Sequence, residues 1–401
     1  MREKVVVLGS NFAGLTAALA VKQELHGDVD VRVISPSDRF LFNPSLIWLP
    51  FGRRNPQDIT FPVEPVFARY GVEFDHQPAV EIDPDGKRVR TADGAWHGYD
   101  YLIVATGYRN DLDVVPGLRD NAVTITTLAE AARAGERWRR FRDEPGDVVI
   151  AAAQGAGCFG AAYEFLFNVS YRLRKAGLKR QVQITYVTAE PQLGHFGLGG
   201  LPHGETLLRL FAKKEHIDLR LGVALDHVAP DALVLADGTE LPSRYTMVIP
   251  PFLGQEVVAA TPGLAPDEKG YVPVRGTYQS EKYDDVYVVG IAAKVAVPWQ
   301  TAIPVGIPKT GYPTEVQAHV AATNVAAQIC GTPPVREKPF GDIPAVCVMD
   351  AGNNGVIILA DRMLPPRKHA VLVPGPQAHL LKVAFEKYFL WKARNGYVRL
   401  P

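Results

Sequence analysis

A glycine turn that joins a buried strand to a helix occurs twice in this chain. The first turn spans 9–14 as Gly-Ser-Asn-Phe-Ala-Gly, between an apolar run at 5–8 and a segment with helical spacing at 15–25. The second unit opens at 147–150 and reaches its next strand at 181–187. Such a turn brings backbone N–H groups and the positive end of a helix dipole to a phosphate. The pattern predicts an α/β fold with two nested Rossmann-like dinucleotide-binding domains and a C-terminal helical segment.

Composition narrows the function classes. The chain has 401 residues, which suits two or three domains, and 43 basic against 43 acidic side chains, so no net field attracts nucleic acid. The N-terminus enters a strand directly, without a signal peptide, and no apolar run reaches the roughly 18 residues of a transmembrane helix. Three cysteines without paired spacing predict neither a disulfide framework nor a metal site. These features predict a cytoplasmic protein or one peripheral to the cytoplasmic membrane.

Further small-residue turns follow later strands. Ala105-Thr106-Gly107 ends one apolar run, Gly290-Ile291 ends another, and Ser35 stands after the second strand of the first unit, where an acid often binds the ribose. Together these turns resemble the strand ends that close over FAD in disulfide-reductase-like flavoproteins.

Two cysteines lie in segments that suggest redox chemistry. Cys158 lies in the second glycine turn, and Cys347 lies in a short apolar run that ends at Asp350. A buried apolar cysteine is the commonest alternative for each thiol. For Cys330, at a helix end, we prefer that alternative.

The chain resembles the sulfide:quinone oxidoreductases, relatives of the flavoprotein subunit of flavocytochrome c sulfide dehydrogenase, nearly from end to end. The matching motifs are Phe-Leu-Phe-Asn-Pro-Ser at 40–45, Gly-Cys-Phe-Gly at 157–160, Tyr-Glu-Phe at 163–165, Glu-Pro-Gln-Leu-Gly-His at 190–195, Ile-Pro-Pro-Phe at 249–252, Pro-Lys-Thr-Gly-Tyr at 308–312, Val-Cys at 346–347 and Lys-Val-Ala-Phe-Glu-Lys-Tyr-Phe at 382–389.

This resemblance implies a thiol relay. Cys158 and Cys347 would meet beside the flavin, where HS⁻ attacks their disulfide and leaves a persulfide on Cys158. Glu164 and His195 would carry protons, and Lys309 would lie near the flavin.

The resemblance also implies the cofactor and the electron acceptor. Lys382 and Phe385 would lie near the quinone, on a helix whose apolar positions fit a quinone site, the protein core or a dimer partner equally well. The residues expected to hold FAD are Gly9, Asn11, Phe12, Ala13, Gly14, Ser35, Pro44, Ala105, Thr106, Gly107, Gly290, Ile291, Lys309, Thr310 and Gly311.

Two departures from the best-known members modify these expectations. Thr126 and Glu130 replace a cysteine and a histidine, so we expect non-covalent FAD. The sequence stops soon after the last predicted helix, which leaves peripheral membrane contact and homo-oligomer formation open. The predicted domains are 1–112 with 281–331 for FAD, 113–280 for the second Rossmann-like domain, and 332–401 for the C-terminal segment.

Three other functions stay open. A type II NADH:quinone dehydrogenase would use Gly155, Gly157 and Gly160 for nicotinamide dinucleotide, with Glu190 as the ribose-binding acid. A cytochrome-coupled sulfide dehydrogenase would need a partner subunit. A non-catalytic flavin redox sensor would be reduced once without turning over.

Overall fold

The computed structural model describes residues 2–265, 269–308 and 311–400. The first part of the chain contains β1 Lys4–Leu8, α1 Phe12–Glu24, β2 Asp30–Ile34, β3 Arg39–Leu41, β4 Thr60–Pro62, α2 Glu64–Arg69, β5 Glu73–Asp75, β6 Ala79–Asp83, β7 Arg88–Thr91, β8 Trp96–Gly98, β9 Tyr101–Val104 and β10 Arg109–Asn110.

The middle part contains α3 Leu118–Asn121, α4 Leu128–Asp143, β11 Val148–Ala152, α5 Phe159–Lys175, β12 Ile184–Thr188, α6 Gly204–Lys214, β13 Ile217–Leu221, β14 Leu225–Val228, β15 Ala232–Leu235, β16 Glu240–Pro242, β17 Tyr245–Ile249, β18 Phe252–Leu253, α7 Glu256–Ala259, β19 Val272–Pro273, β20 Val286–Val288 and β21 Ala293–Lys294. The last part contains α8 Gly311–Ile329, β22 Ala345–Asp350, β23 Gly355–Ala360, β24 Ala370–Pro374 and α9 Pro376–Arg394.

The first parallel sheet has the strand order β20-β9-β1-β2-β5. Its central strand β1 is apolar and buried, and it pairs in parallel with β2 and β9. Helix α1 is buried along most of its length and packs against α8. The carboxyl ends of β1, β9 and β20 therefore meet at one edge, which positions the turns at 9–14, 105–107 and 290–291 together.

The second parallel sheet has the order β13-β12-β11-β17. Every residue of the central strands β11 and β12 is buried, as expected for a parallel sheet with helices packed against it. Helix α5 leaves the end of β11 and carries Cys158 as its N-cap residue. The predicted pair of Rossmann-like units is confirmed.

The C-terminal segment is not only helical. An antiparallel sheet, β22-β23-β24, precedes α9, and α9 packs against β22 and β23. In the described ranges no helix is long and apolar enough to cross a bilayer.

The domain limits remain a prediction. The packing supports assigning β20 to the first domain but does not support the limit at residue 281. Strand β20 joins the first sheet, as a discontinuous FAD domain requires. Val258, Leu264 and Val272 pack with β1 and β9 residues in one apolar cluster, although the predicted limit at 281 assigns them to the second domain.

We predict that Gly9→Ala destabilises the protein much more than Gly27→Ala. Both glycines have positive φ, +109° and +84°, but a Cβ on Gly9 would lie 2.4 Å from the Ala105 carbonyl oxygen, whereas nothing lies within 4 Å at Gly27. The control should cost about 1 kcal/mol of unfolding free energy and Gly9→Ala about 3 kcal/mol or more. Equal losses in urea unfolding would contradict the close approach.

Candidate active site

The first glycine turn is built for close backbone contact. A Cβ on Gly14 would lie 1.8 Å from the Gly9 carbonyl oxygen, so neither position accepts a side chain. The Asn11 carboxamide accepts a hydrogen bond from the Leu41 N–H and donates one to Asn43, each 3.1 Å long. The Phe12 ring packs 4.9 Å from the rings of Phe40 and Phe389. The turn is therefore fixed on both sides by its own side chains.

The neighbouring strand ends complete a crevice that fits a dinucleotide. Thr106 follows β9, and its buried hydroxyl has no hydrogen-bond partner in the part of the chain that the structure describes. Gly107 has φ +72° and open space around it, and the Gly290 N–H donates to the Gln317 carboxamide over 2.6 Å. A buried hydroxyl without a partner is costly unless a ligand satisfies it, so these residues fit FAD.

The other candidate FAD residues lie around this crevice, with two exceptions. Ser35 accepts a hydrogen bond from the Ser10 hydroxyl over 2.9 Å. Pro44 is the second residue of a 3₁₀ helix at Asn43–Trp48. Gly311 is the first residue of α8, and a Cβ there would lie 3.1 Å from the Phe12 ring. Ala13 lies in the first turn of α1 and Ile291 follows Gly290. Lys309 and Thr310 lie outside the described residues.

Cys158 is a free thiol at the N-terminus of α5. Burial raises the pKa of Cys158, although hydrogen bonds from the backbone of Ala161 and Gly160 oppose the shift. The helix terminus thus stabilises a thiolate in a place where water is scarce.

Cys347 lies on β22 and is also a free thiol. Its side chain is accessible, yet burial among surrounding protein atoms raises its pKa to about 12. The thiol is thus reachable from solvent and yet surrounded by many protein atoms. The charge of Cys158 contributes to the same shift. The two thiols, 189 residues apart in sequence, are therefore close enough to interact electrostatically.

Glu164 forms the centre of a buried polar network beside the thiols. Its Oε1 accepts hydrogen bonds from the Lys382 ammonium and from the Asp350 N–H, the latter over 2.5 Å. Burial raises the pKa of Glu164, and Lys382 only partly opposes it. Glu164 also raises the pKa of both cysteines. The carboxylate is thus positioned to exchange protons with the sulfur chemistry.

Asp350 extends this network to the 3₁₀ helix that contains Trp48 and to a second residue of α9. It accepts hydrogen bonds from the Trp48 indole over 2.9 Å and from the Gly352 N–H, and pairs with His379 over 2.5 Å. Although burial opposes it, hydrogen bonds from Trp48 and His379 hold the pKa of Asp350 below its usual value. In the sequence Asp350 is recognisable only as the end of a short apolar run, and no local pattern marks Trp48 or His379 as its partners.

His195 occupies a different environment. Its ring lies edge-on to Trp299, with centroids 4.9 Å apart, and burial lowers the pKa of His195. Its Nδ1 is buried without a partner among the described residues. A proton-carrying role for His195 therefore stays a prediction, with weaker geometric support than Glu164 has.

Glu190 is saturated by internal donors. Its carboxylate accepts hydrogen bonds from Tyr163 over 2.8 Å, Thr188 over 3.0 Å and the Phe196 N–H over 2.7 Å. Burial raises the pKa of Glu190 to about 7, although these donors favour the ionised form. The residue at the ribose-binding position therefore holds the 190–196 loop in place.

Helix α9 has charged side chains on the side that faces the protein interior. Lys382 and Glu386 are buried, and Glu386 pairs with Arg54 over 2.8 Å. Phe385 is 40% exposed and lies 5.9 Å from the Phe42 ring. The two candidate quinone residues thus differ: Lys382 belongs to the buried network and Phe385 lies at its outer rim.

The segment that departs from the best-known members has its own contacts. Thr126 donates a hydrogen bond to Asn110 over 2.8 Å, and its carbonyl accepts one from Tyr108 over 2.5 Å. Burial raises the pKa of Tyr108, and the charge of Cys158 adds to that shift. Tyr108 is therefore a neighbour of the sulfur site that the sequence analysis missed.

The double Rossmann fold, the FAD crevice and the two thiols define a disulfide-reductase-like flavoprotein. The sequence model of the pyridine nucleotide-disulphide oxidoreductase family matches residues 3–310. The sulfide-quinone reductase of Aquifex aeolicus is 35% identical over 99% of this chain and 92% of its own length. Its crystal structure aligns with a TM-score of 0.95 and 34% identity over 98% of this chain and 92% of that chain. The chain belongs to the sulfide-quinone reductase family.

A more distant likeness corresponds to one of the alternatives. A type II NADH:quinone oxidoreductase of Staphylococcus saprophyticus is 24% identical over 92% of this chain and 93% of its own length.

We predict that Glu190→Gln removes a pH dependence of stability. The folded pKa, about 7, lies above the usual 4.5, so protonated Glu190 contributes stability at low pH that is lost as the pH rises toward 7. As the pH rises from 4.5 to about 7, the unfolding free energy of the wild type should fall by roughly 3 kcal/mol relative to that of Glu190→Gln. Urea unfolding at a series of pH values measures the difference, and parallel curves for the two proteins would contradict it.

Proposed function

We propose that this chain oxidises sulfide to sulfane sulfur and passes the electrons through FAD to a quinone. The observation that supports the proposal is the electrostatic interaction of Cys347 with Cys158 and of both thiols with the buried Glu164. In the oxidised enzyme HS⁻ attacks the disulfide at Cys158. The Cys158–Cys347 bond breaks, a persulfide forms on Cys158, and Cys347 leaves as a thiolate.

The residues around the thiols support this step. Lys382 opposes the unfavourable pKa shift of both thiols, so it stabilises the thiolate on Cys347. Glu164 holds or releases the proton that accompanies the sulfur chemistry. FAD supplies a two-electron acceptor when bound. Since Thr126 offers a hydroxyl where the best-known members have a cysteine, we propose that this binding is non-covalent.

The buried Glu190 argues against nicotinamide chemistry. Its oxygens are committed to internal donors, and a Cβ on Gly157 would lie 2.2 Å from the Phe252 ring. The turn that would bind a pyrophosphate is thus covered by an aromatic side chain. This arrangement favours sulfide over NADH as the electron donor.

The outward side of α9 supports contact with a membrane. Five large apolar side chains form the α9 outer face, on one stripe of the helix: Leu380, Leu381, Phe385, Tyr388 and Trp391. Exposed apolar surface rimmed by aromatic side chains is typical of interfacial helices. A quinone dissolved in the bilayer would reach Phe385 from this side.

We predict that Cys347→Ala slows reduction of bound FAD by sulfide by about a thousandfold, because the disulfide can no longer form. Anaerobic stopped-flow absorbance measures flavin bleaching. Cys330→Ala, an exposed cysteine at the end of α8, is the matched control and should keep the wild-type rate.

The same experiment separates the other functions. Fast bleaching of the wild type by NADH and none by sulfide would select the type II dehydrogenase. Reduction by sulfide without turnover in excess decylubiquinone would select a redox sensor. Turnover only with an added cytochrome would select a cytochrome-coupled enzyme.

We predict that Leu380→Glu with Leu381→Glu weakens binding to phospholipid vesicles by at least about tenfold, because two leucines lose their burial in the bilayer. Co-flotation with vesicles measures binding. Leu210→Glu, an equally exposed position on α6, should have no effect. A change from dimer to monomer in the double variant, with vesicle binding unchanged, would assign the α9 outer face to a second copy of the chain.

A further inference from the structure

A cavity of about 310 Å³ lies between helices α5 and α6 and the C-terminal sheet. Asn353 and Lys214 are exposed and mark its mouth, whereas Glu164 and Asp350 are buried and mark its inner end. The walls between them are mainly apolar, formed by these side chains: Phe167, Leu208, Phe211, Met349, Val356 and Leu372. The cavity therefore connects the surface to the buried network through an apolar passage.

The inner end of this cavity lies against the strand that carries Cys347. Ile358 lines the cavity and is the direct cross-strand partner of Cys347. Met349 and Val356 form another such pair two residues further along. Because side chains two residues apart in a strand share one face, Cys347 and this cavity wall lie on the same face of the sheet.

We infer that this cavity is the access path for hydrogen sulfide, which enters as the neutral molecule and gives its proton to Glu164 at the inner end. The inference rests on the proposed function. In this step an S–H bond breaks, an O–H bond forms on the Glu164 carboxylate, and HS⁻ remains beside the two cysteines. No electrons are transferred until HS⁻ attacks the disulfide.

The charges along the path favour the neutral form. An anion would lose its hydration between the apolar walls and then meet two buried carboxylates, Glu164 and Asp350. Arg174, near the mouth, is already paired with Glu215 over 2.6 Å. At the inner end Lys382, Asp350 and both thiols face Glu164, and Lys382 compensates one negative charge there.

Gly204 offers a way to narrow the path without touching the network. It lines the cavity at the start of α6, and a Cβ there would make ordinary contacts, 3.6 Å from Leu201 and 3.8 Å from Leu372. Gly204→Leu should extend into the cavity, whereas Gly204→Ala should leave it open. Leu210→Phe adds bulk to the outer side of the same helix and serves as a second control.

In steady-state assays of the FAD-loaded enzyme, Gly204→Leu should raise the KM for sulfide about tenfold and leave kcat and the KM for quinone within about twofold. Both controls should match the wild type. An unchanged KM for sulfide in Gly204→Leu overturns the inference. If the sulfur products of that variant are also shorter, the cavity is a product exit instead. Absence of sulfide turnover in the wild type would instead overturn the proposed function.

A second measurement does not depend on turnover. In a Cys330→Ala background, reduced FAD-loaded enzyme is treated with methyl methanethiosulfonate, a small neutral thiol reagent, and modification is followed by mass spectrometry. Gly204→Leu should slow the labelling of Cys347 about tenfold relative to Gly204→Ala. If Gly204→Leu loses FAD on purification, Leu208→Phe narrows the same wall one turn further along α6, and equal labelling of Leu208→Phe and the parent overturns the inference.

Discussion

The buried ion pair between Glu164 and Lys382 is the interaction on which the sulfur site depends. It joins α5, which begins at Cys158, to α9, and the Asp350 N–H adds β22, which carries Cys347, to the same carboxylate. Removing one partner of such a pair leaves an uncompensated charge and costs about 3–5 kcal/mol. The relative position of the two thiols is thus fixed by charge and hydrogen bonding as well as by apolar packing.

The two Rossmann-like units show how one fold acquires different uses. In the first, small residues leave a crevice that ends at Thr106, whose buried hydroxyl has no partner among the residues that the structure describes. In the second, the Phe252 ring covers Gly157 and itself stacks on Tyr108, with centroids 3.9 Å apart. Glu190 has become part of the interior. Repetition of the fold supplies the framework, whereas the side chains at the strand ends decide which unit can accept a dinucleotide.

Local patterns predicted the parts of the structure that depend on neighbours in sequence. The glycine turns and buried strands of both units follow from periodicity, since each unit is completed within about 30 to 40 residues. The Lys382–Glu164 pair spans 218 positions, so no local pattern could reveal it. The spacing of α9 identified an apolar stripe but not whether that stripe faces the core or the solvent. The core side of α9 carries charged side chains because carboxylates and a guanidinium of other elements pair with them. Here Lys382 and Glu386 face the interior and Leu381 faces outward. The C-terminal strands were missed because their apolar runs are short and one contains the cysteine that suggested chemistry.

Helix α9 buries charged side chains and exposes apolar ones, and this arrangement constrains the order in which the protein folds. Lys382, Glu386 and Lys392 are all buried, and Lys392 pairs with Glu315 over 3.1 Å. A free α9 would expose apolar side chains on one side and charges on the other, and those charges are matched only by residues of other elements. The helix must therefore dock onto the folded body before its apolar side becomes the outer surface of the protein. Docking of α9 should thus be a late step of folding, which follows the formation of the elements that supply its charged partners.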